Sequence, residues 1–398
     1  MSQNAFSSAL SLGSLRQAFG TIFHAASPRS RNTVGVDDTS INDFRADEKA
    51  QLNRLARDIR QRRFHFDSLR PHLIPKPNDK YRLVCVPTVR DRVVQRALLD
   101  YLAERYADKL ANKISYGFIK QRGVKKAVVD ACKLRTSHPW VFKTDITSFF
   151  DRIERPRLAD ALRKIIRERS LHGVLLGALS CEIQTVKGST GKRIRALGIH
   201  HGRGVRQGMP LSPFFSNIML AGFDRSIEAH GYHAVRYADD LIFFADSREE
   251  CEALAQYCAQ ELGKIGLEIP PVDAGTKSVI YAPEQAAEFL GVSLAPFGAG
   301  YRVELAVSQI ERVRSSLLAL GSLNELVSRR ITLPKLGHVL AVRKNGYLAA
   351  YDMCQNVDEL ERGLADLEQR ILKKIYQEGL HINLATLSGE ARAFLGLR

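Results

Sequence analysis

The sequence is short of the residues that build disulfide frameworks, zinc cages and membrane spans. Its six cysteines (Cys85, Cys132, Cys181, Cys251, Cys258, Cys354) are scattered through 398 residues with no C-x-x-C pair. That spacing excludes a disulfide scaffold and a zinc site, and reads as a reduced, cytoplasmic set of small core residues. No apolar run approaches the roughly 18 residues that cross a bilayer, so no membrane role is expected. The opening stretch MSQNAFSSALSLGSLRQAFG has no basic segment ahead of its apolar part and no clear cleavage site, so it reads as a first helix and not a secretion signal. Internal repeats and low-complexity tracts are absent. Acid is also scarce relative to base: 43 Asp and Glu against 59 Lys and Arg, a net charge of +16. Such an excess favours a polyanionic partner, because phosphate contacts release counterions and steer association, and nucleic acid fits that demand better than an anionic membrane.

What is present is ordinary globular composition, 45% hydrophobic and 26% charged, in a chain long enough for two or three packed subdomains. Residues 27–44 are polar and turn-rich and read as a linker. ADEKAQLNRLARDIRQRRF sets Leu52, Leu55 and Ile59 on one helical face. HLIPKPNDKYRLVCVP reads as two short strands around the turn KPNDK, followed by a helix in RDRVVQRALLDYLAERYADKL and another over residues 125–134. PWVFKTDITSFFDRI is a strand ending in acidic and aromatic residues, with a helix after it. Residues 181–206 are basic and glycine-rich and read as hairpin-like. PLSPFFSNIMLAGFDRSIEAHG is a helix opened by proline. Ser247 and Glu250 form a capping box for the helix that follows. The chain from residue 301 onward reads as mainly helical, with Val357, Leu360, Leu364, Leu367, Ile371 and Ile375 marking one long amphipathic helix.

One stretch raises a chemical question. HAVRYADDLIFFADS places two adjacent carboxylates, Asp239 and Asp240, at the tip of a hydrophobic hairpin. A third, Asp145, ends a strand 94 residues earlier. If those strands are sheet neighbours, three anions converge on a small volume, and hard cations with oxygen ligands are the common remedy. Two Mg²⁺ ions held by shared carboxylates are the arrangement for phosphoryl transfer to a hydroxyl in polymerases. Other polar residues read as structural: Asp151 as a helix-start residue, Asp246 as a strand-end or cap residue. His200 and His201, adjacent on a strand, would point to opposite faces and chelate poorly.

The ordered companions of YADD carry a resemblance. FKTDITSFFD precedes it, RQGMPLSP lies between, and GTKSVIYAPEQAAEFLGVSL follows. With NTVGVDD, LIPKPNDKYRLVCVPTVRDRVVQRAL and ISYGF upstream, the chain from about residue 10 to about 295 resembles the bacterial reverse transcriptases of the group II intron-like lineage. The resemblance implies an α+β, right-hand polymerase fold: an N-terminal extension over 1–70, fingers over 71–135, and a palm with an antiparallel sheet over 136–295. The palm would carry a fingers-side insertion at about 161–206, and residues 296–398 would form a helical thumb.

The resemblance also implies roles. Asp145, Asp239 and Asp240 would bind two Mg²⁺ ions, with Mn²⁺ as an alternative, helped by the backbone carbonyl of Ile146. Phe150 falls at the steric-gate position that favours dNTPs, and Gln207 and Gly208 lie against the incoming nucleotide and template. Lys76 and Arg82 would clamp the triphosphate, and Lys277 would protonate pyrophosphate. Partners would be an RNA template, dNTPs and the DNA product, with a protein partner or a second copy also compatible. The chain keeps the Gln-Gly that diversity-generating enzymes usually replace, and lacks the Val-Thr-Gly signature of retron enzymes. No C-x-x-C supports an added endonuclease. It departs from intron proteins at VRQGMPLSP and in its compact tail, and so looks most like the stand-alone bacterial group, many of which serve in anti-phage defence with a non-coding RNA. Two other readings are a maturase-like RNA-binding protein and a template-independent or protein-primed DNA polymerase.

Overall fold

A computed structural model describes residues 4–76, 81–110, 112–273 and 275–397; the turn centred on 77–80, read above as a hairpin loop, lies outside them. The chain divides into two units, one from 1–123, 144–241 and 253–279, the other from 124–143, 242–252 and 280–398. Among the described residues nine strands run in chain order: β1 Arg70–Pro75, β2 Tyr81–Val86, β3 Trp140–Asp145, β4 His233–Tyr237, β5 Asp240–Ala245, β6 Val279–Tyr281, β7 Ala287–Phe289, β8 Val292–Phe297 and β9 Gly300–Leu305. They form a pair β1-β2, a four-stranded sheet in the order β4-β5-β3-β6, and a three-stranded sheet β7-β8-β9. With the helices around them they make an α+β fold.

In the first unit the amphipathic face read from the sequence is the buried one: Leu52, Leu55 and Ile59 of the helix Glu48–Arg60 are all inside. The opening residues form two helices, Ala5–Ala9 and Leu12–Ala25. The second buries Leu15, Ala18 and Phe19 and packs on the helix Val89–Arg105. β1 and β2 pair antiparallel, Arg70 opposite Val86 and Pro75 opposite Tyr81. Pro71 and Pro75 are tolerated because β1 is an edge. Residues 27–44 are less of a linker than expected: Ser40 and Asp43 close a reciprocal capping box on the short helix Ile41–Ala46. The segment 181–206 is not hairpin-like; Gly188–Ala196 is a helix. Its glycine at 191 is buried against the Val186 carbonyl, so a residue that reads as a turn signal serves close packing instead.

The second unit is organised around Arg135. This side chain is fully buried on the helix Val124–Ser137. It donates to the carbonyls of Leu294 (2.5 Å), Ala282 (3.0 Å) and Gln285 (2.6 Å), and its guanidinium lies 4.2 Å from the Tyr301 ring centroid. Three carbonyl acceptors and an aromatic face serve both terminal nitrogens of this cation, while its Nε is buried without a hydrogen-bond partner. The chain after residue 301 is mainly helical as read, with β9 as the strand that precedes the helices. Phe297 pairs with Gly300 across a two-residue loop, and Val303 and Leu305 alternate inward. The long amphipathic helix runs Val357–Lys374 and buries Leu360, Leu364, Leu367 and Ile371 against the helices Val307–Leu318 and Leu333–Ala350. At Ser247, Glu250 donates its N–H to the hydroxyl, while its carboxylate reaches the N–H of Asp246 in place of Ser247. No helix among the described residues is long and apolar enough to cross a membrane.

One buried carboxyl gives the fold a pH signature. Asp91 is 1% exposed and accepts the Asp67 N–H at 2.9 Å. Burial pushes it up to about 6, outweighing that bond and the nearby Arg90. A carboxyl raised on folding stabilises the protein below its unfolded value and loses that stability as pH climbs from about 4 to about 6. Urea titrations of the wild type and Asp91→Asn at pH 4 and pH 7 should therefore differ. The wild type should lose up to about 3 kcal/mol more than the variant across that interval, and equal losses would remove Asp91 as the cause.

Candidate active site

The carboxylates are brought together by backbone pairing. β3 and β5 are neighbours in the four-stranded sheet, and the N–H of Ile146, the residue after Asp145, donates to the Asp239 carbonyl at 3.1 Å. Asp145 is 8% exposed and Asp239 and Asp240 half-buried. The Asp239 carboxyl is raised, first by burial and then by the Asp145 charge, while its own backbone N–H, Lys277 and Arg82 pull it down. Lys277 forms an ion pair with Asp145 and feels Asp240 and Asp239 as well. Partial burial would lower the ammonium, but the Asp145 hydrogen bond and the three carboxylates together raise it, so it stays charged. Its position is fixed next door, where the Ser278 hydroxyl bonds Thr144 Oγ1 at 2.6 Å and donates to the Pro270 carbonyl at 2.7 Å.

Asp145, Asp239 and Lys277, though not Asp240, line a pocket of about 310 Å³ together with Ile146, Lys76, Arg82, Phe150 and Gln207. Each of these residues was singled out in the sequence. Gly208 stands beside them for a steric reason. The Cys85 N–H donates to the Gln207 carbonyl at 2.7 Å, and a Cβ on Gly208 would fall 2.4 Å from the Cys85 carbonyl, with φ at +107°. Only glycine lets this loop lie on β2, the strand that carries Arg82. Phe149 is core and Phe150 is half-buried at the pocket, their rings 5.2 Å apart. The Phe150 carbonyl accepts the Val205 N–H at 2.7 Å. Asp151 lies in the short helix Phe149–Arg152 and lines the same pocket; burial raises its carboxyl against the pull of Arg206. Asp246 sits after β5 and bonds His138 Nδ1 at 2.8 Å. A larger cavity, about 560 Å³, lies among Phe6, Phe64, Phe66 and Cys181 and includes none of the three aspartates, so size alone does not locate the chemistry.

Sequence reading missed what holds the Asp239–Asp240 turn. Arg236 and Asp224 are both inside, 0% and 1% exposed, and form a two-point pair at 2.7 and 2.5 Å. The same guanidinium donates to the Ala238 carbonyl (3.0 Å), the Ser115 hydroxyl (2.8 Å) and Asn217 Oδ1 (3.3 Å). Ala238 has φ +58°, a left-handed conformation a non-glycine residue keeps only when its surroundings dictate it. Residues 114–117 lie along β4, exchanging bonds with Arg236 through Ile114 O and Tyr116 N. A Cβ on Gly117 would be 2.5 Å from the Ala238 nitrogen. The one available signal was Arg236 itself, a charge inside the otherwise strand-like HAVRY.

Comparison with known proteins shows the family of the chain. Residues 74–294, more than half of the chain, match the family model described as reverse transcriptase (RNA-dependent DNA polymerase). The chain belongs to that family. Among curated proteins it is 30% identical over 205 residues to the protein YkfC of Escherichia coli (strain K12), covering 50% of this chain and 51% of that one. It is 27% identical over 181 residues to the retron Ec83 reverse transcriptase of E. coli, covering 44% and 52%. It is also 24% identical over 177 residues to a putative COX1/OXI3 intron 1 protein of Saccharomyces cerevisiae, covering 44% and 20%. The chain thus spans about half the length, or less, of the curated relatives it matches. Among solved structures it resembles the telomerase of Candida albicans (TM-score 0.43, 12% identity, 85% of this chain and 64% of that one) and a Cas6-RT-Cas1–Cas2 complex (TM-score 0.36, 23% identity, 66% and 42%).

The buried pair beneath the turn is testable. Arg236→Met should cost about 3–5 kcal/mol in urea unfolding, because it strands the Asp224 charge, whereas Arg236→Met with Asp224→Leu should recover much of that loss. A double variant no more stable than the single would overturn this account.

Proposed function

We propose that the protein is an RNA-directed DNA polymerase that adds dNTPs to a primer 3′-hydroxyl. One observation carries the reading: a single pocket gathers Asp145, Asp239, Lys277, Arg82, Phe150 and Gln207 from segments far apart in the chain. Family members use divalent cations such as Mg²⁺. Among the described residues, no three His, Cys, Asp or Glu side chains form a ready metal cage. The donor chemistry of this pocket nonetheless fits a hard cation. Its acidic groups are all oxygen donors, Asp239 is raised by burial and by Asp145, and the Lys277 ammonium already stands against Asp145 as counter-charge. Asp145, Asp239 and Asp240, with the Ile146 carbonyl, would hold two Mg²⁺ ions, or Mn²⁺ in their place. Bound there, the ions would lower the pKa of the attacking hydroxyl and neutralise the leaving pyrophosphate.

The chain's own groups account for the rest. Arg82 and Lys76 bind the triphosphate, Arg82 through its planar fork. Gln207 and Gly208 support the nucleotide and template base. The Phe150 ring stands where a ribose 2′-hydroxyl would need room. Lys277, kept protonated by its carboxylate neighbours, donates to the departing pyrophosphate. In the architecture proposed, residues 71–135 are fingers, 136–295 palm and 296–398 thumb. The template is a structured non-coding RNA copied in cytoplasmic anti-phage defence, a reading that rests on the motif resemblance to stand-alone bacterial enzymes. The alternative of a maturase-like RNA-binding protein draws on the net charge of +16.

Purified protein with Mg²⁺, dNTPs and a primed RNA should make DNA, and Asp239→Asn should reduce the rate at least about 10²–10³-fold, the scale for losing a group that manages transition-state charge. Undiminished synthesis by that variant would sink the catalytic assignment; full biological activity without synthesis would favour the maturase. Phe150→Val should narrow the preference for dNTPs over rNTPs by about 10–200-fold, the range for one filled or vacated pocket contact. An unchanged ratio would remove Phe150 as the gate.

A further inference from the structure

Between the helices Gly188–Ala196 and Ser212–Ala229 the chain forms neither helix nor strand, yet it places Gln207 in the nucleotide pocket. Something other than a backbone ladder has to hold this stretch. The holder is one carboxylate. Glu182 accepts from Arg155 at 2.6 Å, from Arg206 at 2.8 Å and from the Gly202 N–H at 2.8 Å. The two guanidiniums grip the same stretch a second time, Arg155 on the Gly204 carbonyl at 2.9 Å and Arg206 on the His200 carbonyl at 2.8 Å. Glu182 is itself tied down through its own carbonyl, which accepts the Leu69 N–H at 2.8 Å.

By itself such a cluster is common structural support. What sets this one apart is where the clamped backbone leads. The Gly204 N–H donates to the Ile153 carbonyl at 2.8 Å and the Val205 N–H to the Phe150 carbonyl at 2.7 Å. Two residues further on comes Gln207. The clamped stretch is thus bonded to the residue that carries the pocket's ring and continues into the residue that carries its amide. The charges are also largely withdrawn from water, the side chains of Arg206, Arg155 and Glu182 being 2%, 11% and 21% exposed. Nε and Nη1 of Arg206 have no hydrogen-bond partner, so loss of the Glu182 carboxylate would leave a buried cation without its ion-pair partner. Asp151 also feels Arg206, and it lines the nucleotide pocket.

We infer that Glu182, which is not among the residues lining the nucleotide pocket, is a positioning residue for dNTP selection, setting Gln207 and Phe150 through Arg206 and Arg155. The inference rests on the polymerase reading. A change at Glu182 shifts the groups that meet the base and the sugar of the nucleotide and leaves Asp145, Asp239 and Asp240 where they are. Its effect therefore falls on nucleotide binding and on sugar choice more than on the chemical step.

The test is single-nucleotide incorporation by the full chain on a primed RNA, with dNTP and then with rNTP. Glu182→Gln keeps the side chain's shape and removes its charge. It should raise the KM for dNTP about 10–100-fold, the scale of a misplacement of about an ångström, with kcat changed less. The preference for dNTPs over rNTPs should narrow about 10-fold. Glu182→Asp, which keeps a counter-charge for Arg206, should recover part of both losses. A purely structural role gives another pattern: fewer folded molecules lower kcat and leave KM and the sugar preference as in the wild type. That pattern, or unchanged kinetics, would overturn the inference. Where thermal unfolding shows that Glu182→Gln does not fold, Arg155→Lys takes its place. An ammonium lacks the fork that joins Glu182 to the Gly204 carbonyl, so the same rise in KM is expected, and a wild-type KM there overturns the role. A wild type that incorporates nothing fells the polymerase reading and this role with it, whereas an active wild type with indifferent variants fells this role alone.

Discussion

Two aspartates can stand side by side at the tip of β4 and β5 because the turn before them is bolted from beneath. Arg236 spends one guanidinium on Asp224, Ala238, Ser115 and Asn217, and so satisfies a buried charge while fixing a left-handed alanine. Removing water from an ion pair costs several kcal/mol per ion, and such a pair is tolerable only when its remaining donors are used. Here they are used on the backbone that aims Asp239. Structural economy and site geometry are therefore the same interaction, which makes the turn intolerant of changes well below the surface.

The remainder of the pocket is assembled the same way, through main-chain contacts that leave side chains free to face inward. Ile146 bonds Asp239, Cys85 bonds Gln207, and Val205 bonds Phe150. Each contact joins a residue that bears a functional side chain, or its immediate neighbour, to a segment distant in sequence. Gly208 and Gly117 serve this plan by absence of bulk, since a methyl group at either would collide with backbone atoms of the partner segment. Backbone atoms cannot be moved aside like the end of a flexible side chain, so these two glycines are constraints on the site and not on local flexibility.

This explains what could be read in the sequence and what could not. Asp145, Asp239, Asp240, Gln207 and Phe150 were legible because adjacent carboxylates at a hydrophobic hairpin, a strand-terminal acid and the ordered segments around them form a pattern in one dimension. Arg236, Asp224, Ser115 and Asn217 form a pattern only in three. Each is a polar residue that composition assigns to the surface, and their partners lie up to 121 residues away. The same limit hid Arg135, whose acceptors are carbonyls that any sequence supplies. The helix Gly188–Ala196 was missed for another reason: glycine is read as a turn signal, yet at 191 it is needed because the Val186 carbonyl presses on the helix. β9 was missed because five residues of YRVEL are too few for alternation to outweigh the helical pattern after them, and only pairing with β8 makes it a strand.

The chain carries a positive excess, whereas its pocket sets the carboxylates Asp145, Asp151 and Asp239 against the cations Lys76, Arg82 and Lys277, and the two patterns act at different ranges. A net charge of +16 draws a polyanion from beyond a Debye length only weakly at physiological salt, where that length is about 8 Å, so most of its effect is delivered at contact, by cations held where the phosphates lie. Inside the pocket the acidic cluster is balanced at shorter range, by Lys277 on Asp145 and by the field of Arg82 on Asp239. In these pairs the carboxylate is the buried partner and the cation the exposed one, and their close range leaves little room for screening by salt. Added salt should therefore weaken the pull on a polyanion long before it disturbs the carboxylate geometry, because the first depends on exposed cations and the second on the backbone bond from Ile146 to Asp239 and on carboxylates that are themselves largely buried.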